Sequence, residues 1–377
     1  MNHVLRTSSV KNFPRTHVFP PLSFKPYVCR TSDKLPFPLE HPQCRIFSRA
    51  RQGLFMGIKA LGLKRGDEIL VPAYHHGSEI EALIRAGMVC RYYDIGQRLE
   101  PDEKDLESLL NERVRAFSLT HYLGFPQDAA RWRNWADKHG LLMIEDAAQA
   151  WLSSFNGVPV GSHGDLSIFC LYKSVGVPDG AAVISTTPLD VPRSGRRFGA
   201  ASLTIKHGMY LEQRWGWFAE LHRRLKRVRQ RTSPQEELQR DFALGDPEQA
   251  PCAVTELLLS RAIQPAVQAT RVANYTFLLE RLERFVPEPF AHLPKGTSPF
   301  VFPIRSNRKE ELVHRLARHG IVASSFWTIP HPSLPVADFP QASSLRKSIV
   351  GLPVHQELGS RELERIADAV FSNMSAS

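Results

Sequence analysis

No run of apolar residues in this sequence is long enough to cross a bilayer, although 42% of its 377 residues are hydrophobic. The apolar content is divided into short pieces instead. That is the distribution of a soluble globular protein with a large core, and the length suggests two domains or three. The first thirty residues, "MNHVLRTSSVKNFPRTHVFPPLSFKPYVCR", hold no apolar stretch of the signal-peptide kind. They are basic and proline-rich. Residues 1–42 are therefore expected to form an arm lying over the surface or partly disordered, with a transit peptide as the alternative. Cysteine is scarce and scattered: Cys29, Cys44, Cys90, Cys170 and Cys252, with no CxxC and no Cys/His spacing suited to zinc. An odd, dispersed set excludes a disulfide framework and offers no metal site, and reduced thiols point to the cytoplasm. Internal repeats and low-complexity tracts are absent as well.

Negative charge is in the minority. Lys and Arg total 48 against 38 Asp and Glu, for a net charge of +10. The excess concentrates in "LHRRLKRVRQR", residues 221–231. No nucleic-acid-binding motif accompanies this run. A solvated helix face, or a wall that attracts an anionic substrate, is favoured over a nucleic-acid or membrane patch.

From residue 47 to 185 the sequence alternates in periodicity. "QGLFMGIKAL", "SEIEALIRAG", "PDEKDLESLL" and "DAARWRNWADKHG" carry apolar residues at helical spacing. "GDEILVPAY", "MVCRYYDI", "VRAFSLTHY" and "LLMIEDAAQA" read as strands, and "IFCLYKSVGVPDGAAVIS" as two strands around a lysine and a Pro-Asp-Gly turn. Short apolar strands alternating with helices imply a mostly parallel sheet covered on both faces, a three-layer α/β/α domain. Ligands in such sheets bind beyond the carboxyl ends of the strands. Residues 186–250 lose this regularity and are expected to form an excursion or lid on a large domain spanning 43–250. After Pro251 long helices broken near Pro265, then "SPFVFPIR", "RKEELVHRLARHG", "IVASSFW" and "RELERIADAV", suggest a smaller α/β domain over 251–377.

Titratable groups collect where the strand patterns end. Asp146 closes "LLMIED" with Gln149 just beyond, His121 follows "AFSLT", His75 and His76 follow "ILVPAY", and Lys173 follows "IFCLY". Each has an ordinary explanation taken singly: Asp146 as a helix cap, the histidines as satisfied loop residues, Lys173 as a snorkelling side chain. Together they meet the needs of pyridoxal 5'-phosphate chemistry. That chemistry requires a lysine for a Schiff base, a carboxylate to hold the pyridine nitrogen protonated, a flat group on the ring face and donors for the phosphate.

The stretches "ALGLKRGDEILVPAYHH", "AGMVCRYYDI", "LTHYLGFPQD", "GLLMIEDAAQA", "GVPVGSHGDLSIF" and "GLPVHQEL", in this order, resemble the DegT/DnrJ/StrS family of pyridoxal-phosphate-dependent aminotransferases. Most of that family act on nucleotide-linked keto sugars. The resemblance covers residues 45–185 well and the last eighty or so loosely. It implies the fold type I architecture of the aspartate aminotransferases. Position by position, Lys173 resembles the Schiff-base lysine, Asp146 the partner of the pyridine nitrogen and Gln149 the residue near the ring hydroxyl. The glycine-threonine pair that opens the phosphate-binding helix in the family falls here on Ala50 and Arg51, with Gln52 next, and a helix N-terminus suits a phosphate. The ring-stacking aromatic falls on His75 or His76, with the spacing favouring His76. Cys170 stands where the family has a serine.

The departures lie around the substrate. A thiol at Cys170 is a poorer phosphate donor than a hydroxyl. The Gly-Glu-Gly-Gly loop after the lysine is replaced by Pro178-Asp179-Gly180-Ala181, and the Asn-Tyr-Arg motif that reaches the neighbouring subunit's site has no clear match. "RVANY", residues 271–275, lies later in the chain and is not equated with it. The resemblance implies an aminotransferase taking its amino group from an amino acid and passing it to a carbonyl substrate, in a homodimer with sites at the interface. A lyase, dehydratase or carbon–carbon bond-forming reaction on the same scaffold, or a non-catalytic binding protein, are the alternatives. A lysine at 173 speaks against the dehydratases, which carry histidine there.

Overall fold

The computed structural model describes residues 14–29, 34–195, 197–215 and 241–374; the basic run 221–231 lies outside them. Among the described residues fourteen strands fall, in chain order, at Thr16–His17 (β1), Arg45–Phe47 (β2), Glu68–Pro72 (β3), Val89–Tyr93 (β4), Val114–Thr120 (β5), Leu142–Asp146 (β6), Ser154–Phe155 (β7), Val158–Pro159 (β8), Leu166–Cys170 (β9), Ala181–Ser185 (β10), Phe302–Arg305 (β11), Ile321–Val322 (β12), Ser324–Ser325 (β13) and Ile349–Leu352 (β14). The central sheet has the order β2-β10-β9-β6-β5-β3-β4. From β9 to β4 it is parallel throughout, and β10 pairs antiparallel with both β9 and β2 at one edge. β3, β9 and β10 are buried along their whole length. That is why they read as continuous apolar runs rather than alternating ones.

The helix Ala50–Ala60 lies directly on β9 and β10. Gly53 and Gly57 make this approach possible: a Cβ on the first would stand 2.2 Å from Val183 Cγ2, and on the second 2.3 Å from Leu166 Cδ1. The glycines therefore fix the height of the helix above the sheet, and with it the position of its N-terminus. Helices Ser78–Arg85 and Ala129–Lys138 each bury one stripe and expose the rest. Asp102 and Asp128 cap their helices by accepting N–H groups of the first turn.

A three-stranded antiparallel sheet, β11-β14-β13, packs into the same apolar core as the large sheet. Tyr275 links them, lying 5.6 Å from Phe125 on one side and 4.8 Å from Phe302 on the other. The break at Pro265 is present, between helices Ala253–Ala262 and Ala266–Leu282. The first of these packs on the large-sheet side, with Leu259 and Ile263 against Phe169 and Val177, so the packing runs across position 250.

In the described part of the N-terminal arm, β1 pairs in parallel with β12, and Thr16, Val18 and Leu22 are buried.

Candidate active site

The carboxyl ends of the parallel strands open into a cavity of about 440 Å³. Thr120, Asp146 and Cys170, the last residues of β5, β6 and β9, line it, as strand topology requires. Ala50 and Arg51 bring the start of the 50–60 helix to one wall, and His76, Gln149 and Lys173 complete the residues singled out from the sequence.

Lys173 sits in the short helical turn Leu171–Ser174 that follows β9. Its Nζ lies 5.5 Å from the centre of the Phe300 ring. Burial pulls the ammonium down, but the field of Cys170, Tyr172, Asp146 and Glu79 outweighs it, and the net direction is up. The turn is held from behind by Arg271, which is 1% exposed. Its Nη2 donates to the carbonyls of Lys173 and Ser174, its Nη1 to Pro299 O and its Nε to Gln356 Oε1.

Asp146 accepts an N–H from Ala148 at 2.9 Å. Burial first, then the nearby Glu79 charge, pushes its carboxyl up to about 6. A carboxylate so placed is short of positive charge. The β6 end lies beside β9, with Asp146 in register with Ile168, so the acid and the lysine-bearing turn come from adjacent strands. Gln149 is fixed at one end, its Oε1 accepting Leu123 N–H at 2.8 Å.

Arg51 lines the cavity while its Nη1 donates to the carbonyls of Asp241 and Ala243. The residue before the helix, Arg49, also lines the cavity, its guanidinium 5.1 Å from the Tyr172 ring centre. Two guanidinium groups and a helix start, whose Ala50 and Arg51 line the same cavity, suit an anion.

Two expected cofactor residues do not reach the cavity. Gln52 turns back: its Oε1 accepts Arg49 N–H and its Nε2 donates to Asp246 O, so it caps the helix. His75 is buried in the core with Nδ1 2.9 Å from Pro72 O and its ring 5.5 Å from Tyr92. His76 is the histidine on the cavity wall, its ordinary pKa lowered by burial against the opposing pull of Glu79. His121 also lies elsewhere: its Nε2 is 2.9 Å from Glu145 Oε1 in the core.

Sequence reasoning missed several walls. Glu79 is a carboxylate in the cavity, holding the loop by accepting N–H groups of His76 and Gly77. Its signal was its place in the first turn of the helix after β3. Arg49 announced itself only as the residue before the helix start. Phe19 from the arm, and Phe300, Phe326 and Trp327 from around the small sheet, had no local signal at all.

Residues 39–189 match the family model described as the DegT/DnrJ/EryC1/StrS aminotransferase family. The 39–189 segment belongs to this family. GDP-perosamine synthase of Vibrio cholerae is 28% identical over 149 residues, 39% of this chain and 41% of that protein. The match thus spans about two fifths of that relative's length. The dTDP-3-amino-3,4,6-trideoxy-alpha-D-glucose transaminase of Streptomyces venezuelae is 26% identical over 341 residues, 84% of this chain and 79% of the relative. Among solved structures, DesV of S. venezuelae, crystallised in complex with a ketimine intermediate, superposes with a TM-score of 0.61 over 87% of this chain and 84% of its own, at 21% identity. This likeness extends the fold of the DegT/DnrJ/EryC1/StrS aminotransferases, fold type I, beyond the 39–189 segment to most of the chain.

Proposed function

We propose that this chain is a pyridoxal-phosphate-dependent aminotransferase that passes an amino group from an amino acid to a carbonyl substrate, a nucleotide-linked keto sugar being the class to which the relatives' names point. The observation that carries this is the pairing of Lys173 and Asp146 at the ends of adjacent strands, lining one cavity together with the guanidinium groups of Arg49 and Arg51.

The residues fit the cofactor. Asp146, driven up to about 6 by burial, would be restored to the carboxylate by a protonated ring nitrogen. The first-turn N–H groups at Ala50 and Arg51, with the guanidinium of Arg49, suit the phosphate. His76 and Gln149 line the cavity, where the first would offer a flat face to the cofactor ring and the second an amide to its polar substituents. When bound, the cofactor supplies an electron-poor ring into which negative charge at the substrate carbon can spread. Lys173 would supply the amine that bonds the cofactor, and its Nζ would be the base that moves a proton off the substrate carbon. Arg271 keeps the lysine turn in place while the side chain moves.

We further infer a cytoplasmic homodimer. All five cysteines are free thiols, and Phe24, Val28, Ile205 and Leu257 leave large apolar surfaces exposed. Among the described residues no helix is long and apolar enough to cross a membrane.

The test is a single-turnover reaction of cofactor-loaded protein with each standard amino acid. Stoichiometric keto acid, absent in Lys173→Ala, is the expected result. A protein loaded on Lys173 that releases keto acid from no amino acid would instead be a binding protein.

A further inference from the structure

The N-terminal arm contributes one residue, Phe19, to the cavity wall. The geometry points to Phe19 as a specificity-determining residue whose ring bounds the space open to the carbonyl substrate; this rests on the aminotransferase reading above. The Phe19 ring packs on three sides, 5.8 Å from Phe300, 6.1 Å from Tyr172 and 6.0 Å from Lys206 Nζ. Yet it is 39% exposed and lines the cavity. Part of its surface is thus cavity wall. Phe300 is the neighbour that it shares with Lys173 Nζ, so the ring stands one side chain away from the reacting amine.

The wall is also fixed. On the N-terminal side β1 pairs with β12, His355 Nε2 lies 3.0 Å from His17 O, and Arg365 donates to Thr16 Oγ1. On the C-terminal side the buried Lys206 donates Nζ to Pro20 O at 3.1 Å, while Leu22 N–H donates to Lys206 O. Pro21 lies against the lysine loop itself: a Cβ on Gly176 would stand 2.3 Å from Pro21 O. An arm tied on both sides cannot swing aside to admit a larger molecule. An aromatic face there complements the C–H face of a sugar ring and makes no demand for a hydrogen bond. It selects by size and apolar contact.

The experiment needs no turnover. Cofactor-free protein is treated with cyanoborohydride and acetaldehyde, benzaldehyde or naphthaldehyde in turn, and alkylation of Lys173 is followed by mass spectrometry with surface lysines as the internal control. In the wild type the rate at Lys173, relative to those controls, falls at least about tenfold from the smallest to the largest aldehyde, within the range an apolar pocket can discriminate. Phe19→Ala flattens that dependence, and Lys206→Met, which removes the tie to Pro20 O, shifts it the same way by less. Equal size dependence in wild type and Phe19→Ala overturns the wall. A separate borohydride reduction of cofactor-loaded wild type and Phe19→Ala reports on the underlying reading: label on Lys173 in both supports it. Its absence from the wild type overturns the aminotransferase assignment, and the substrate role with it, whatever the aldehydes show.

Discussion

Glu145 and Asp146 are consecutive carboxylates on β6, and they face opposite sides of the sheet. Glu145 is fully buried and fully answered. It accepts N–H groups from Gly161, His163 and Gly164 and a hydrogen bond from His121 Nε2. Gln127 N–H donates to His121 Nδ1 at 3.0 Å, which assigns the imidazole proton to Nε2 and makes the pair a charge-assisted hydrogen bond. Burial would raise the Glu145 carboxyl, but His121 and these N–H groups outweigh it and hold it below its usual range. Asp146 is as poorly answered as its neighbour is well answered, with Ala148 N–H opposing its upward shift. One carboxylate staples the 157–165 loop to the sheet. The other keeps a raised carboxyl at the cavity, which the proposed cofactor's protonated ring nitrogen would answer.

The comparison can be broken in order of effect. Glu145→Ala should cost about 3–5 kcal/mol of stability in urea denaturation, because it leaves buried donors without an acceptor. Asp146→Ala should cost less than about 1 kcal/mol in the same assay, and equal losses would dissolve the contrast. Asp146→Asn should stabilise the cofactor-free protein by about 1–2 kcal/mol at pH 8. The sign follows from the shift: a carboxyl raised to about 6 favours the folded state while protonated, below its unfolded value, and that advantage is lost as pH rises through 6. The gain from asparagine should therefore vanish below pH 4, and a gain at low pH would contradict the assignment. Glu145 runs the other way. Its depressed value gives stability above the unfolded carboxylate range that is lost as pH falls through the folded one, so wild type and Glu145→Gln should converge in acid. The smallest effect concerns the histidines. His76→Ala should weaken cofactor binding by roughly 1 kcal/mol, the order of one ring contact. His75→Phe should leave it unchanged in equilibrium titration, and the reverse order would exchange their roles.

Much of the large sheet was legible because its strands are buried runs bounded by glycine, proline and acidic helix starts, all local signals. The ends of those runs also marked Asp146, Gln149 and Lys173, since a polar residue after an apolar strand stands out. The choice between His75 and His76 was legible only as spacing. Which of two consecutive residues faces a cavity depends on the twist after Pro72 and on Tyr92 packing behind. Gln52 was misplaced because a glutamine two residues into a helix can serve the helix's own N-terminus as well as a ligand. Phe19, Phe300 and Trp327 were invisible. They are apolar residues far apart in sequence, brought together by a tied-down arm and by a second sheet, and nothing local in the chain encodes that meeting.

Lys173 and Asp146 would hold one cofactor between them under the proposed function. The measurement is borohydride reduction of cofactor-loaded protein followed by peptide mapping, in the wild type and in Asp146→Asn. One label per chain, on Lys173 in both proteins and with altered absorption in Asp146→Asn before reduction, is the result predicted. Label spread over surface lysines, or a spectrum indifferent to Asp146, would contradict it.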